Sequence, residues 1–329
     1  MSFDAESGKL SCPSCGHQDD IEQLDDEFIT KELSEDEARE YQCENCGAVV
    51  LTDQDTTATS CSFCGAGVVL GDRLTNKLAP AKVIPFTISK EEAQKAFKKW
   101  CKNGRFTPRG FMTADRIKNI TGMYVPFWIY DLHSDIHVKA VGTKVRSYRR
   151  GDYIYTETKY FDVRRDLNAY YEKVPVDASE KMNDQTMDLL EPYDYKDLKA
   201  FNMAYLTGFL AEKYNFTDKE LLPRAKQKID DYIQSYIRST MLGYSSISMK
   251  RKDIQTTQKK GSYVLFPVWM VYYDYEQHEH TFAMNGQTGK VIGKPPLSKG
   301  KVVSWFAGMS ASLFVALKIA GSLIGGVWW

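Results

Sequence analysis

Hydrophobic and polar positions alternate through most of residues 122–176, as in Asp152-Tyr-Ile-Tyr-Thr-Glu-Thr-Lys-Tyr-Phe161. A period of two predicts strands with one wet face. The period then changes. After Pro223, Ala225, Ile229, Ile233 and Ile237 recur every fourth residue and form one apolar stripe, so 200–242 reads as helical. Pro223 suits either the first helical position or a kink. Strands return from Tyr263 to Ile292, with Asn285-Gly286 and Thr288-Gly289 as turn chemistry. Upstream, Ser89-Lys-Glu-Glu92 reads as a capping box that opens a helix to about Cys101.

Two segments of this body resemble each other. Tyr124-Val-Pro-Phe-Trp-Ile-Tyr-Asp131 parallels Leu265-Phe-Pro-Val-Trp-Met-Val-Tyr272, each a Pro-x-Trp strand followed by a polar, His-bearing strand. The expected class is α+β. The body spans 78–295, with similar β-units at about 122–176 and 261–293 flanking a helical insert at 200–242.

The last stretch follows neither period. Val302 to Leu317 is sixteen residues without a charge, Lys318 interrupts, and Ile319 to Trp329 is again uncharged. Sixteen helical residues reach only about 24 Å, but the whole of 302–329 exceeds a hydrocarbon core of about 30 Å. Its Val, Ile, Leu and Phe residues favour insertion by roughly 3–7 kcal/mol, against about 3 for a central Lys. Lys318 is off centre and can snorkel. The segment is therefore expected to anchor the chain in lipid, the alternative being a buried terminal helix. Lys294, Lys299 and Lys301 precede it and place the bulk of the chain in the cytoplasm.

Six of seven cysteines form Cys-x-x-Cys-Gly units: Cys12/Cys15, Cys43/Cys46 and Cys61/Cys64. Paired knuckles without an export signal read as metal ligands. Cys43-x2-Cys46, fourteen residues, then Cys61-x2-Cys64 is zinc-ribbon spacing, expected over 41–72. Two knuckles close a tetrahedral thiolate shell, so the Zn2+ would be structural. Such a site supplies roughly 10–16 kcal/mol, enough to fold a segment with little core. Cys12 and Cys15 lack a partner pair and read as an incomplete second site over 1–18, or as competitors for the same metal. His17 is a conceivable third ligand, though a neighbouring histidine more often has no such role. Cys101 reads as an inert thiol. Between the knuckles, Asp19 to Glu44 holds twelve Asp or Glu against Lys31 and Arg39. It reads as an acidic linker over 19–40, with a short helix opened by Ser34-Glu-Asp-Glu37.

Charge narrows the function. Lys+Arg and Asp+Glu are equal at 43 each, which argues against a nucleic-acid partner. Locally, Lys139 to Arg165 carries eight Lys or Arg against Asp152, Glu157 and Asp162, interleaved with Tyr148, Tyr153 and Tyr155. A solvated strand face explains this most simply, with nucleic acid or anionic lipid as alternatives; with the tail in a membrane, headgroups are the nearer anion. His133/His137 and His278/His280 could pair on a metal but read as ordinary surface or satisfied histidines. No nucleophile elbow, HExxH or phosphate loop is present, and Gly286-Gln-Thr-Gly-Lys290 reads as a hairpin turn. The sequence offers no active site and no small-molecule substrate.

Several motifs carry a family resemblance: Tyr41-x-Cys-x-x-Cys-Gly-Ala48, Thr57-Ala-Thr-x-Cys-x-x-Cys-Gly65, Val83-Ile-Pro-Phe86, Tyr124-Val-Pro-Phe-Trp128, Tyr205-Leu-x-Gly-Phe209 and Asn285-Gly-Gln-Thr-Gly-Lys290. Over nearly its whole length the chain resembles bacterial proteins with a TFIIB-type zinc ribbon, of the YdjG-like, phage-shock-associated group. The resemblance implies two ribbons in tandem. Phe3-Asp-Ala-Glu-Ser-Gly-Lys-Leu10 looks like the hairpin before the second knuckle of the first ribbon, whose first knuckle would precede Met1. It further implies a non-enzymatic, membrane-anchored partner of an SPFH (flotillin-like) protein in envelope stress. The other reading is a soluble nucleic-acid-binding accessory.

Overall fold

The computed structural model describes residues 1–21, 40–42, 49–51, 56–60, 67–69, 80–102, 106–108, 120–275, 278–293, 295 and 297–323. Cys43, Cys46, Cys61, Cys64 and the helix expected after Ser34 lie outside them.

Three very long strands organise the fold. β9 (Thr121–Arg150) turns back at Gly151, whose φ of 64° suits glycine, into β10 (Tyr153–Asp177). β13 (Ser246–Tyr275) pairs with the other edge of β9. The result is an antiparallel ribbon, β10-β9-β13. Thirty residues of strand give a contour of roughly 100 Å.

At the Thr121 end the ribbon widens into the body. β8 (Lys82–Val83) runs parallel to β13 at Val264 and Leu265, with β11 (Lys199–Ala200) beyond it. β12 (Leu210–Glu212) runs parallel to β9 at Met123 and Tyr124. β6 (Thr56–Ser60) and β7 (Gly67–Val69) extend that edge. On the other side, β14 (His278–Asn285) pairs with β13 and β15 (Val291–Ile292) with β14. Separately, β1 (Ser2–Asp4), β2 (Lys9–Ser11) and β3 (Gln18–Asp19) form one small sheet, and β4 (Glu40–Gln42) pairs with β5 (Val49–Leu51).

The two similar segments pair with each other: Val125 faces Phe266, Pro126 faces Leu265 and Tyr124 faces Pro267. Trp128 Nε1 donates to the Phe216 carbonyl at 2.9 Å and Trp269 Nε1 to that of Ile88 at 3.1 Å. Trp269 thus buries its ring, and Trp128 half-buries its own, without stranding the N–H. Around them Phe86 stacks on Phe209 at 4.1 Å and meets Tyr124 and Trp269 edge-on.

Helix α1 (Lys90–Lys102) opens on the expected box, with Ser89 N donating to Glu92 Oε2 at 3.0 Å. A short α2 (Asp184–Leu190) follows β10. Only Asp218–Ser239 of the 200–242 stretch is α-helix (α3); before it the chain forms a 3-10 turn at Met203–Leu206 and then β12. The helix starts where Thr217 and Glu220 cap each other reciprocally, and Pro223 falls inside it as its sixth residue. Its Ala225, Ile229, Ile233 and Ile237 stripe packs on Leu132, Ile136, Val138 and Ala140 of β9 and Val163 of β10. The second β-unit also starts earlier than 261. β13 begins at Ser246, because β9 supplies the pairing that its polar first half does not advertise. The last helix, α4 (Lys299–Leu323), begins three residues before the uncharged run; 324–329 lie outside the described residues.

Candidate functional site

The first candidate is the turn after β2. Phe3 pairs with Leu10, and the chain then loops so that Cys12 N donates to the His17 carbonyl at 2.8 Å and Gly16 N to that of Cys12 at 2.9 Å. Gly16 takes φ 74°, which lets the chain turn back behind the sulfurs. Backbone amides of Cys15 and Ser14 point at the Cys12 sulfur and, with the Cys15 thiol, hold its pKa below the ordinary thiol value. With Cys12 amide-supported and thiolate-prone and Cys15 exposed beside it, the pair fits half of a four-thiolate zinc shell. His17 turns instead to Asp19, at 3.0 Å. Among the described residues no three His, Cys, Asp or Glu side chains gather as a metal site.

The second candidate is α4. Lys299–Ala320 is long and apolar enough to cross a membrane, and no residue of its most apolar window is buried. Phe306, Met309, Leu313, Phe314, Val315, Leu317 and Ile319 are all exposed, on every side of the helix. A helix apolar all round belongs in a core or in lipid, and among the described residues no core surrounds α4. Its start is tied down: Lys301 Nζ donates to the Thr107 carbonyl at 2.6 Å, and Trp305 meets Phe106 edge-on at 5.6 Å. Further along, Lys318 Nζ lies 5.8 Å from the Phe314 ring.

The third is an ion network that sequence reading missed. Arg224 of α3 reaches Asp177 at 2.7 Å, Asp184 at 2.9 Å and Asp188 at 3.0 Å. One turn on, Lys228 reaches Asp188 at 2.9 Å, Glu191 at 2.5 Å and the Pro175 carbonyl at 2.7 Å. Asp177 is buried, and Arg224 meets it as an ion pair off the line of a directed hydrogen bond, leaving both carboxylate oxygens without one. Burial pushes the Asp177 carboxyl up to about 6, partly opposed by Arg224 and reinforced by Asp184. Glu191 is raised by burial too, against the pull of Lys228. The network clamps α3 to α2 and to the end of β10. A carboxylate cluster between β10 and α2 followed by Arg224 and Lys228, four apart on one helix face, was the signal available in the sequence.

The two histidine pairs stand far apart along the strands. His137 Nδ1 meets Asp166 at 2.6 Å on an exposed face, and this bond raises its pKa. His133 stacks on Tyr170 at 4.4 Å. His280 pairs with Tyr273, whereas His133 pairs with Thr257, roughly 50 Å of strand away. The basic stretch 139–165 occupies the distal ribbon, at the opposite end of β9 from the body that holds α4.

These features define an α+β protein with a β-rich body and a free apolar C-terminal helix. The chain belongs to the family of YdjG: it is 61% identical over 326 residues to the uncharacterized protein YdjG of Bacillus subtilis (strain 168), covering 99% of this chain and 96% of that protein. No protein-family model matches the chain, and no solved structure matches it.

Proposed function

We propose that this protein is a non-enzymatic, membrane-anchored scaffold. In this reading α4 holds it at the cytoplasmic face of the cell membrane and zinc ribbons present partner-binding surfaces. The observation that carries the reading is the apolar helix exposed on all sides. Lysines before the span favour a cytoplasmic body. Cys43, Cys46, Cys61 and Cys64 would hold one structural Zn2+, and the Cys12/Cys15 pair, with its amide-supported Cys12, suits half of another site. The family resemblance suggests an SPFH-type partner acting in envelope stress.

The test has two parts. Carbonate washing should leave the full chain in the membrane fraction and release a chain lacking 302–329. Pull-down from solubilised membranes should recover an SPFH protein. A full chain that washes off, or one that recovers only replication proteins, would overturn the reading. Metal analysis should find at least one zinc per chain, lost when Cys43 and Cys46 become serine.

A further inference from the structure

Beyond the end of α3 the ribbon continues as a hairpin whose two faces differ. On the face that α3 covers lower down, the cross-strand rows read Phe161/Gly142, Lys159/Lys144, Glu157/Arg146, Tyr155/Tyr148 and Tyr153/Arg150. Four cations thus stand with one acid, in a chain of zero net charge. The Tyr148 and Tyr155 rings stack at 5.6 Å and 14°, and about half of each side chain is open. Tyr153 is 72% exposed. Tyr244 lies beside Phe161 at 5.8 Å, and Lys144 Nζ sits 5.6 Å from the Phe161 ring and 5.5 Å from that of Tyr244. Lys159 pairs with Glu157 at 3.4 Å, whereas Arg146 and Arg150 have no acidic partner among the described residues.

The opposite face has another character. Its rows are Tyr160/Thr143, Thr158/Val145, Thr156/Ser147 and Ile154/Arg149. In these rows its one cation, Arg149, turns in to the Gly151 carbonyl at 3.0 Å; Arg164 and Lys139 pair two rows further from the tip. At the tip, therefore, the cations free of a local partner lie on one face.

We infer that the α3-side face of the distal hairpin is a stacking platform for single-stranded nucleic acid. Exposed rings offer flat surfaces to bases while Arg146, Arg150 and Lys144 meet the phosphates, the combination that sequence-tolerant single-strand binders use. Five rows cover about 27 Å, room for a few nucleotides. A bilayer fits less well. The most exposed aliphatic group at the tip, Ile154, points to the other face, so the cations flank hydroxylated rings rather than an apolar wedge. The tip also lies at the far end of the strands from the body, after whose last strand α4 starts. The inference does not depend on whether α4 spans a membrane.

The test uses the full chain in phosphatidylcholine nanodiscs and a fluorescein-labelled 15-nucleotide oligothymidylate, read by anisotropy. We expect saturable binding that weakens with salt. The double change Arg146→Gln/Arg150→Gln should cut affinity about tenfold or more and flatten the salt slope by about 1.4, two single-strand phosphate contacts. Tyr148→Ala/Tyr155→Ala should cut affinity about tenfold with the slope unchanged, and Tyr148→Phe/Tyr155→Phe should retain it. All four side chains are substantially exposed, so thermal unfolding of the variants should match the parent. Absence of binding, binding indifferent to these variants, or preference for duplex would overturn the inference. So would a tip that engages only nanodiscs containing phosphatidylglycerol.

Discussion

Arg224 Nη1 lies 2.7 Å from Oδ1 of Asp177, a carboxylate sealed between α3 and the end of β10. Removing one partner of a buried pair costs far more than neutralising it. Arg224→Met should therefore destabilise the protein by about 3 kcal/mol in urea unfolding, whereas Asp177→Asn at neutral pH should be neutral to stabilising. Equal losses in the two variants would contradict this account.

The same carboxylate sets a pH dependence. In the native state Asp177 titrates at about 6, above its ordinary value of 3.8, so between these values the folded chain keeps a proton that the unfolded chain has released. Stability should then fall as pH rises from about 4 to about 6, by up to roughly 3 kcal/mol for a shift near two units. Glu191, also raised, adds a fall of the same sign. Urea midpoints against pH should show a shallower fall in Asp177→Asn; an unchanged slope would remove Asp177 from the explanation.

The α3 stripe predicts a contrast one residue apart. Ile233 is buried against the ribbon and Tyr232 is 68% exposed. Ile233→Ala should cost about 2–5 kcal/mol and Tyr232→Ala under about 0.5. Comparable effects in thermal unfolding would mean that the helix is rotated from the position described.

Gly286 marks a tight approach in the aromatic core. A Cβ there would lie 2.6 Å from the Phe86 ring and 2.8 Å from Pro267 Cβ. Gly286→Ala should destabilise by about 1–3 kcal/mol, as overpacking does. Phe86→Leu in the same chain should recover part of that loss.

Much of this architecture was legible in the sequence. The α+β class, the β-rich body and the apolar terminal helix follow from periods of two, of nearly four and of none. The Ser89 capping box and the Ile229–Ile233–Ile237 stripe mark their helices directly. The first half of β13 was not legible. Ser246 to Gly261 has few apolar residues because one face is open and only Ile247 and Ile254 pack on the α3 side. Pairing with β9, a tertiary fact, holds it as strand. The 200–217 stretch is not helix, because the cap sits at Thr217. The ion network escaped because its partners are separated by about forty residues. The rows of the distal hairpin could be seen only once Gly151 fixed the register; before that, the same residues were an unsorted basic stretch.

The central place of β9 also governs how a newly made chain matures. Its pairing with β10 zips locally from Gly151, but its other flank waits for β13, where Thr143 meets Ser246 across 103 residues of sequence. Until the ribosome has released Tyr275, a strand about 100 Å in contour has an unoccupied side. Such an edge captures neighbours. The nascent protein should therefore be most prone to aggregate, and most in need of a chaperone, during the synthesis of residues 178–275.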